Sequence, residues 1–128
     1  MSFFKNINGI LGNASEVTTE EIHRESEPLL TNDEYVEKAY KLVRDLFIFT
    51  NKRLILIDKQ GLTGKRVEYL SIPYKSISYF SVQSAGNFDL NSELFIFLSG
   101  RETPIVKTFN ANQNVYDIQS VLAHYVLR

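Results

Sequence analysis

The feature that most constrains this chain is a succession of short apolar runs, each closed by a tight turn. Residues 49–61 hold two such runs on either side of an Asn51-Lys52 turn, and Gly61 ends the second run. Runs of four to eight β-branched and aromatic residues favour strands, while Asn and Gly favour the turns between them. The pattern therefore predicts a meander of antiparallel strands.

Seven strands are predicted in the central part of the chain, with turn residues such as Gly100-Arg101 between them. Their predicted bounds are residues 35–44, 46–50, 53–58, 66–73, 76–84, 93–99 and 104–109. So many short strands with tight connections are typical of a sheet that curls into a barrel, or of two packed sheets.

A helix is predicted after the last strand, because apolar residues there recur on one face with a helical period. This stripe consists of Val115, Ile118, Val121, Leu122 and Tyr125. Asn114 is the candidate N-cap. A terminal helix of this kind can cover the open mouth of a barrel.

Two further helices are predicted before the strands. The first covers residues 1–12, where apolar residues recur at helical spacing; they are Phe3, Phe4, Ile7, Ile10 and Leu11. The second begins at a capping-box pattern, Thr18 with Glu21, and ends at Pro28. We interpret this second helix, whose main apolar residue is Ile22, as a solvated arm or connector. The predicted organisation is a helical extension over residues 1–30 and one domain over residues 31–128.

Several motifs in the strand region resemble those of the bacterial pleckstrin-homology (PH) domains, small stand-alone members formerly of unknown function. The residues that carry the resemblance lie at 39–45, 49–54, 58–61, 72–74 and 85–89. The resemblance implies a mainly β fold, a PH-like barrel of seven antiparallel strands capped by a C-terminal α-helix. It also implies self-association, since bacterial relatives resemble ring-forming domains. It specifies no activity.

Composition sets limits on location and partners. The chain has 128 residues, 44% of them hydrophobic, a formal net charge of −1 and no cysteine. This length suits one domain, and the charge gives no field that would attract nucleic acid or an anionic membrane. No run approaches the roughly 20 apolar residues of a membrane span. We expect a cytoplasmic protein with no nucleic-acid partner and no membrane contact.

The residue pattern gives no catalytic centre, cofactor site or metal site. The two histidines, His23 and His124, have no second ligand at metal-binding spacing. The glutamates of the second helix share one exposed environment, whereas acid–base pairs need carboxyl groups in different environments. No nucleophile has an activating base nearby in the sequence. We therefore predict that the protein is not an enzyme.

Two basic pairs at turns are candidate anion- or partner-binding residues. They are Lys52 with Arg53, and Lys65 with Arg66. If both pairs lie at the same end of the sheet, they could bind a phosphate or a phospholipid headgroup. The alternative is that they keep turns and sheet edges soluble. The first two strands are joined by only Arg44-Asp45, too short for a phosphoinositide-binding loop, so phosphoinositides are expected to bind weakly or not at all.

Three strands are apolar at every position, in residues 46–49, 54–57 and 94–98. A strand with one wet face should alternate between apolar and polar residues, so these strands predict that both faces are covered. The outer cover is either the helix over residues 1–12 or another subunit. The leading hypothesis is a non-catalytic interaction module that forms a homo-oligomer, with a ring among the options, and scaffolds an unidentified protein partner. The alternative is an anionic-ligand domain that uses the basic pairs.

Overall fold

The structure, a computed structural model, describes residues 19–42, 45–60, 65–84, 91–110 and 115–127. Its elements are α1 (Thr19–Ser26), a 3-10 turn (Glu27–Leu29), β1 (Val36–Lys41), β2 (Leu46–Thr50), β3 (Arg53–Gln60), β4 (Arg66–Pro73), a second 3-10 turn (Tyr74–Ser76), β5 (Ile77–Ser84), β6 (Ser92–Leu98), β7 (Ile105–Phe109) and α2 (Val115–Val126). The chain forms two compact units, Met1–Ile72 and Pro73–Arg128. No described helix is long and apolar enough to cross a membrane.

The predicted seven antiparallel strands and the C-terminal helix are confirmed. The largest difference is in β1, which ends at Lys41 rather than at residue 44. The strands hydrogen-bond in two sheets rather than in one closed barrel, with the orders β1-β2-β3-β4 and β5-β6-β7. The connection from β1 to β2 covers residues 42–45, four residues rather than the predicted two, and the backbone N–H of Leu42 donates to the carbonyl of Asp45 at 2.9 Å.

The first unit is built around β2, whose five residues are all buried. In the register of the sheet, Lys41 lies opposite Leu46, and Leu46 lies opposite Ile57. Directly opposed residues share a face of the sheet. Lys41, Leu46 and Ile57 therefore lie on one face, which we call the first face, and their neighbours along each strand lie on the other. The apolar runs of β2 and β3 are buried on both faces, which explains why neither run alternates.

The helix α1 packs on the first of these faces, so the prediction of a solvated arm was wrong. Ile22 and Ser26 are fully buried. Glu21 pairs with Lys41 of β1 and Glu25 pairs with Lys59 of β3, each at 3.1 Å. Because β2 lies between those strands, the helix crosses the sheet above it and covers part of an apolar face.

The second unit consists of β5, β6, β7 and α2. Four of the five residues of the predicted stripe of α2 are buried, namely Val115, Ile118, Leu122 and Tyr125, whereas Val121 is half-buried. The helix contacts β5 and β6, and the Tyr125 ring stacks on Tyr74 with centroids 4.6 Å apart. Three sequence predictions lie outside the described residues: the helix over residues 1–12, the Thr18 cap and the Asn114 cap.

Candidate functional site

Among the described residues of the first unit, an ion pair with several further hydrogen bonds joins Arg53, which opens β3, to Glu34, which precedes β1. Arg53 Nε lies 2.8 Å from Glu34 Oε2, and Arg53 Nη2 lies 2.9 Å from Glu34 Oε1. Nη2 also donates to the carbonyl of Leu29, and Nη1 donates to Ser71 Oγ at 2.8 Å. The guanidinium thus ties the 3-10 turn after α1 to the sheet.

The turn between β2 and β3 completes this network. Thr50 Oγ1 donates to Glu34 Oε2 at 2.7 Å and accepts the backbone N–H groups of Lys52 and Arg53. Asn51 Oδ1 accepts the N–H of Tyr35 at 2.8 Å, so the amide side chain extends the pairing of β1. These contacts explain why a Thr-Asn pair precedes the basic residues: both side chains are bonded within the fold.

The pKa of Glu34 lies below the ordinary carboxyl value of about 4.5. Burial by itself raises the pKa, because it disfavours the charged form. The hydrogen bonds from Arg53, Thr50 and the Thr31 backbone, together with the positive charge of Arg53, outweigh that effect. The carboxylate is therefore held ionised as part of the fold.

We expect this pair to make the free energy of unfolding fall in acid. Since the pKa of Glu34 is lower in the folded state, its stabilisation is present above about pH 4.5 and is lost as the pH falls through the folded-state value. At pH 7, urea unfolding should therefore give Glu34→Gln a lower free energy of unfolding than wild type. This difference should be smaller at pH 3. Glu68→Gln, at an exposed position, is the control. If the difference between Glu34→Gln and wild type were as large at pH 3 as at pH 7, the lowered pKa of Glu34 would be contradicted.

The four predicted basic residues do not meet in one place. Arg53 opens β3 and Arg66 opens the neighbouring antiparallel strand β4, so the two pairs lie at opposite ends of these strands, roughly 20 Å apart. Lys52, Lys65 and Arg66 are exposed. The Arg53 side chain is only 23% exposed and is bonded to Glu34. A site made of both pairs, which required them to share one end, is not formed.

A cavity of about 300 Å³ lies beside this network in the first unit. Its lining is mainly polar and comes from the segment that joins α1 to β1: His23, Glu27, Leu30, Thr31, Asn32, Glu34 and Tyr35. His23 Nδ1 lies 3.7 Å from Glu27 Oε2. Among the described residues, no group of three or more His, Asp or Glu side chains is placed to hold a metal ion.

The second unit carries an exposed aromatic surface on one face of its sheet. Tyr79 of β5 lies opposite Phe97 of β6, and Phe95 lies opposite Val106 of β7. Tyr79 is 60% exposed and Val106 is 42% exposed. The rings of Tyr79 and Phe97 stack in parallel with centroids 4.2 Å apart. We call these four residues the aromatic face. The apolar run of β6 is evident in the sequence, whereas its partners Tyr79 and Val106 depend on the register of the sheet.

The model of the bacterial PH domain family matches residues 5–126. The chain belongs to this family. It is similar to the uncharacterized protein YjqA of Bacillus subtilis (strain 168), with 58% identity over 118 residues, covering 91% of this chain and 94% of that protein. It is also 33% identical to YozO of the same organism, covering 78% of this chain and 85% of that protein.

Solved structures agree with this assignment. A PH domain of Shewanella amazonensis SB2B is 51% identical, with a TM-score of 0.81, covering 91% of this chain and 94% of that one. A DUF1696 family protein with a PH domain from Shewanella loihica PV-4 is 45% identical, with a TM-score of 0.74, covering 86% and 94%. The predicted PH-like fold is therefore confirmed.

Proposed function

We propose that this PH domain is a non-catalytic interaction module of the cytoplasm that self-associates and scaffolds protein partners. The aromatic face is the observation that carries the proposal. Exposed apolar groups that cluster on one sheet face are more informative than isolated ones, because clusters mark contact surfaces. Tyrosine and phenylalanine are also enriched at protein interfaces.

The strand beside the aromatic face supports the same proposal. β5 is an edge strand of its sheet, and its eight residues include no charged side chain and no proline. Its pairing with β6 shifts register between Ile77 and Tyr79 and is regular from Tyr79 to Ser84. Natural edge strands are usually protected from pairing by charges, proline or bulges. An uncharged edge next to exposed aromatic rings suits the pairing of two chains.

The apolar surface available for self-association is smaller than the three apolar runs suggest. The runs of β2 and β3 are buried within the chain, so they leave no apolar surface for a neighbour. In β6, by contrast, Phe95 and Phe97 are only half-buried. The proposed contact surface is therefore the aromatic face and the β5 edge.

Light scattering of the intact protein at tens of micromolar tests the proposal. We expect a mass that is a multiple of 14.7 kDa, and a fall to one chain in the double variant Tyr79→Lys with Val106→Lys. Charges on the aromatic face would have to be desolvated at the contact, which is costly.

The matched control places the same charges elsewhere on the second unit, as Tyr116→Lys with Leu127→Lys. Both residues are exposed, 63% and 71% respectively, so this variant should keep the wild-type mass. Circular dichroism checks that each variant is folded. A monomeric wild-type protein would overturn self-association.

A further inference from the structure

The face beneath α1 has the properties of a helix-binding groove. Its floor, on β2 and β3, consists of Leu46, Ile48, Ile55 and Ile57, each at most 1% exposed. Lys41 stands on one side of this floor and Lys59 on the other, each paired with a glutamate of α1. We call this surface the strap groove, and α1 the strap.

The strap brings few apolar atoms to the groove. Its sequence, TEEIHRES, contains one large aliphatic residue, Ile22, which is fully buried. The buried Ser26 hydroxyl donates to the strap's own backbone, to the carbonyl of Ile22 at 2.6 Å. Of the side chains that cover the floor, α1 therefore contributes one large aliphatic group.

The two ion pairs of the strap are individually weak. The lysines of the two ion pairs are 27% and 30% exposed, and partly exposed pairs contribute little and are screened by salt. A helix of eight residues is also too short to be stable by itself, so its helicity depends on docking. Elements held in this way belong to the low-stability end of a fold and open locally.

We propose that the strap groove is a docking site for an amphipathic helix of another protein, which displaces α1. The strap defines the chemistry of that helix: two carboxylates four residues apart, as in Glu21 and Glu25, and an apolar residue directly after the first. Lys41 and Lys59 form ion pairs with the two carboxylates, and the apolar residues pack on the floor. A partner helix with further apolar residues on that side buries more of its own apolar surface than α1 does, and so it competes with α1 for the groove.

Peptide binding to the full-length protein tests this proposal independently of self-association. The probe is a fluorophore-labelled synthetic peptide of residues 17–30, followed by anisotropy. In the double variant Glu21→Gln with Glu25→Gln the strap loses both ion pairs while the groove stays intact. We expect this variant to bind the probe about five- to tenfold more tightly than wild type, the change that two weak ion pairs correspond to.

The matched control is Glu68→Gln with Glu102→Gln, which changes net charge equally at exposed positions and should bind the probe as wild type does. A probe with glutamine at both glutamate positions should bind the strap variant less tightly, and added salt should remove the difference. Hydrogen exchange should accelerate in α1 but not in α2. Equal binding by the strap variant and wild type, or equal binding of both probes, would overturn the proposal. A rise in mass of the strap variant without probe would instead assign the groove to a second copy.

Discussion

Replacing Arg53 by alanine is expected to lower the free energy of unfolding by about 3–5 kcal/mol. The substitution removes a guanidinium that makes two hydrogen bonds to Glu34 and one each to Leu29 and Ser71. The Glu34 side chain is only 1% exposed, so it would remain as a buried charge without its cationic partner. Removing one member of a buried pair is costly for this reason. Equilibrium unfolding in urea at pH 7 measures the change.

Arg66→Ala is the matched control, because Arg66 is exposed at the start of β4 and its replacement should change stability by less than about 0.5 kcal/mol. If Arg53→Ala were as harmless as the control, the role of Arg53 in the fold would be refuted. Its availability as an anion ligand would then have to be reconsidered.

The role of Arg53 could not be predicted from its position in the sequence. An arginine after a tight turn is most simply interpreted as a surface residue, and its partner Glu34 lies 19 residues earlier, before the first strand. The only hint in the nearby sequence was the pair Thr50-Asn51, which precedes the basic residues. Both are side chains that commonly bond to nearby backbone, as they do here, but that property does not reveal a carboxylate from another segment.

The packing of α1 was missed for a related physical reason. A helix with Ile22 as its one large aliphatic residue has almost no apolar stripe, so its pattern resembles that of a solvated helix. What holds it is the placement of Lys41 and Lys59 on the same face of β1 and β3, which only the register of the sheet determines. The strands, by contrast, were predictable because their apolar runs and turn residues are local signals.

The apolar runs of β2 and β3 were interpreted correctly as strands covered on both faces. Of the two covers that the sequence left open, the helix over residues 1–12 lies outside the described residues. β2 and β3 are buried within the chain, with α1 over part of one face. The β6 run remains half-exposed where Phe95 and Phe97 meet the aromatic face. Counting apolar positions therefore identified the right strands, whereas locating the free surface required the pairing of β5, β6 and β7.

Replacing Phe49 by alanine should destabilise the first unit by about 3–5 kcal/mol, the range for removing a large aromatic side chain from a core. Phe49 is fully buried in β2, and its ring makes edge contacts with Tyr40 and Phe47 at centroid distances of 6.1 and 6.4 Å. Phe49→Leu keeps most of the volume and should cost less, about 1.5 kcal/mol or below. Tyr116→Ala, at an exposed site of α2, should be nearly neutral. Urea unfolding that ranks Phe49→Ala with Tyr116→Ala would contradict the packing of β2. The expected ranking would mean that the Phe49 ring belongs to a packed core, as the burial of all five residues of β2 indicates.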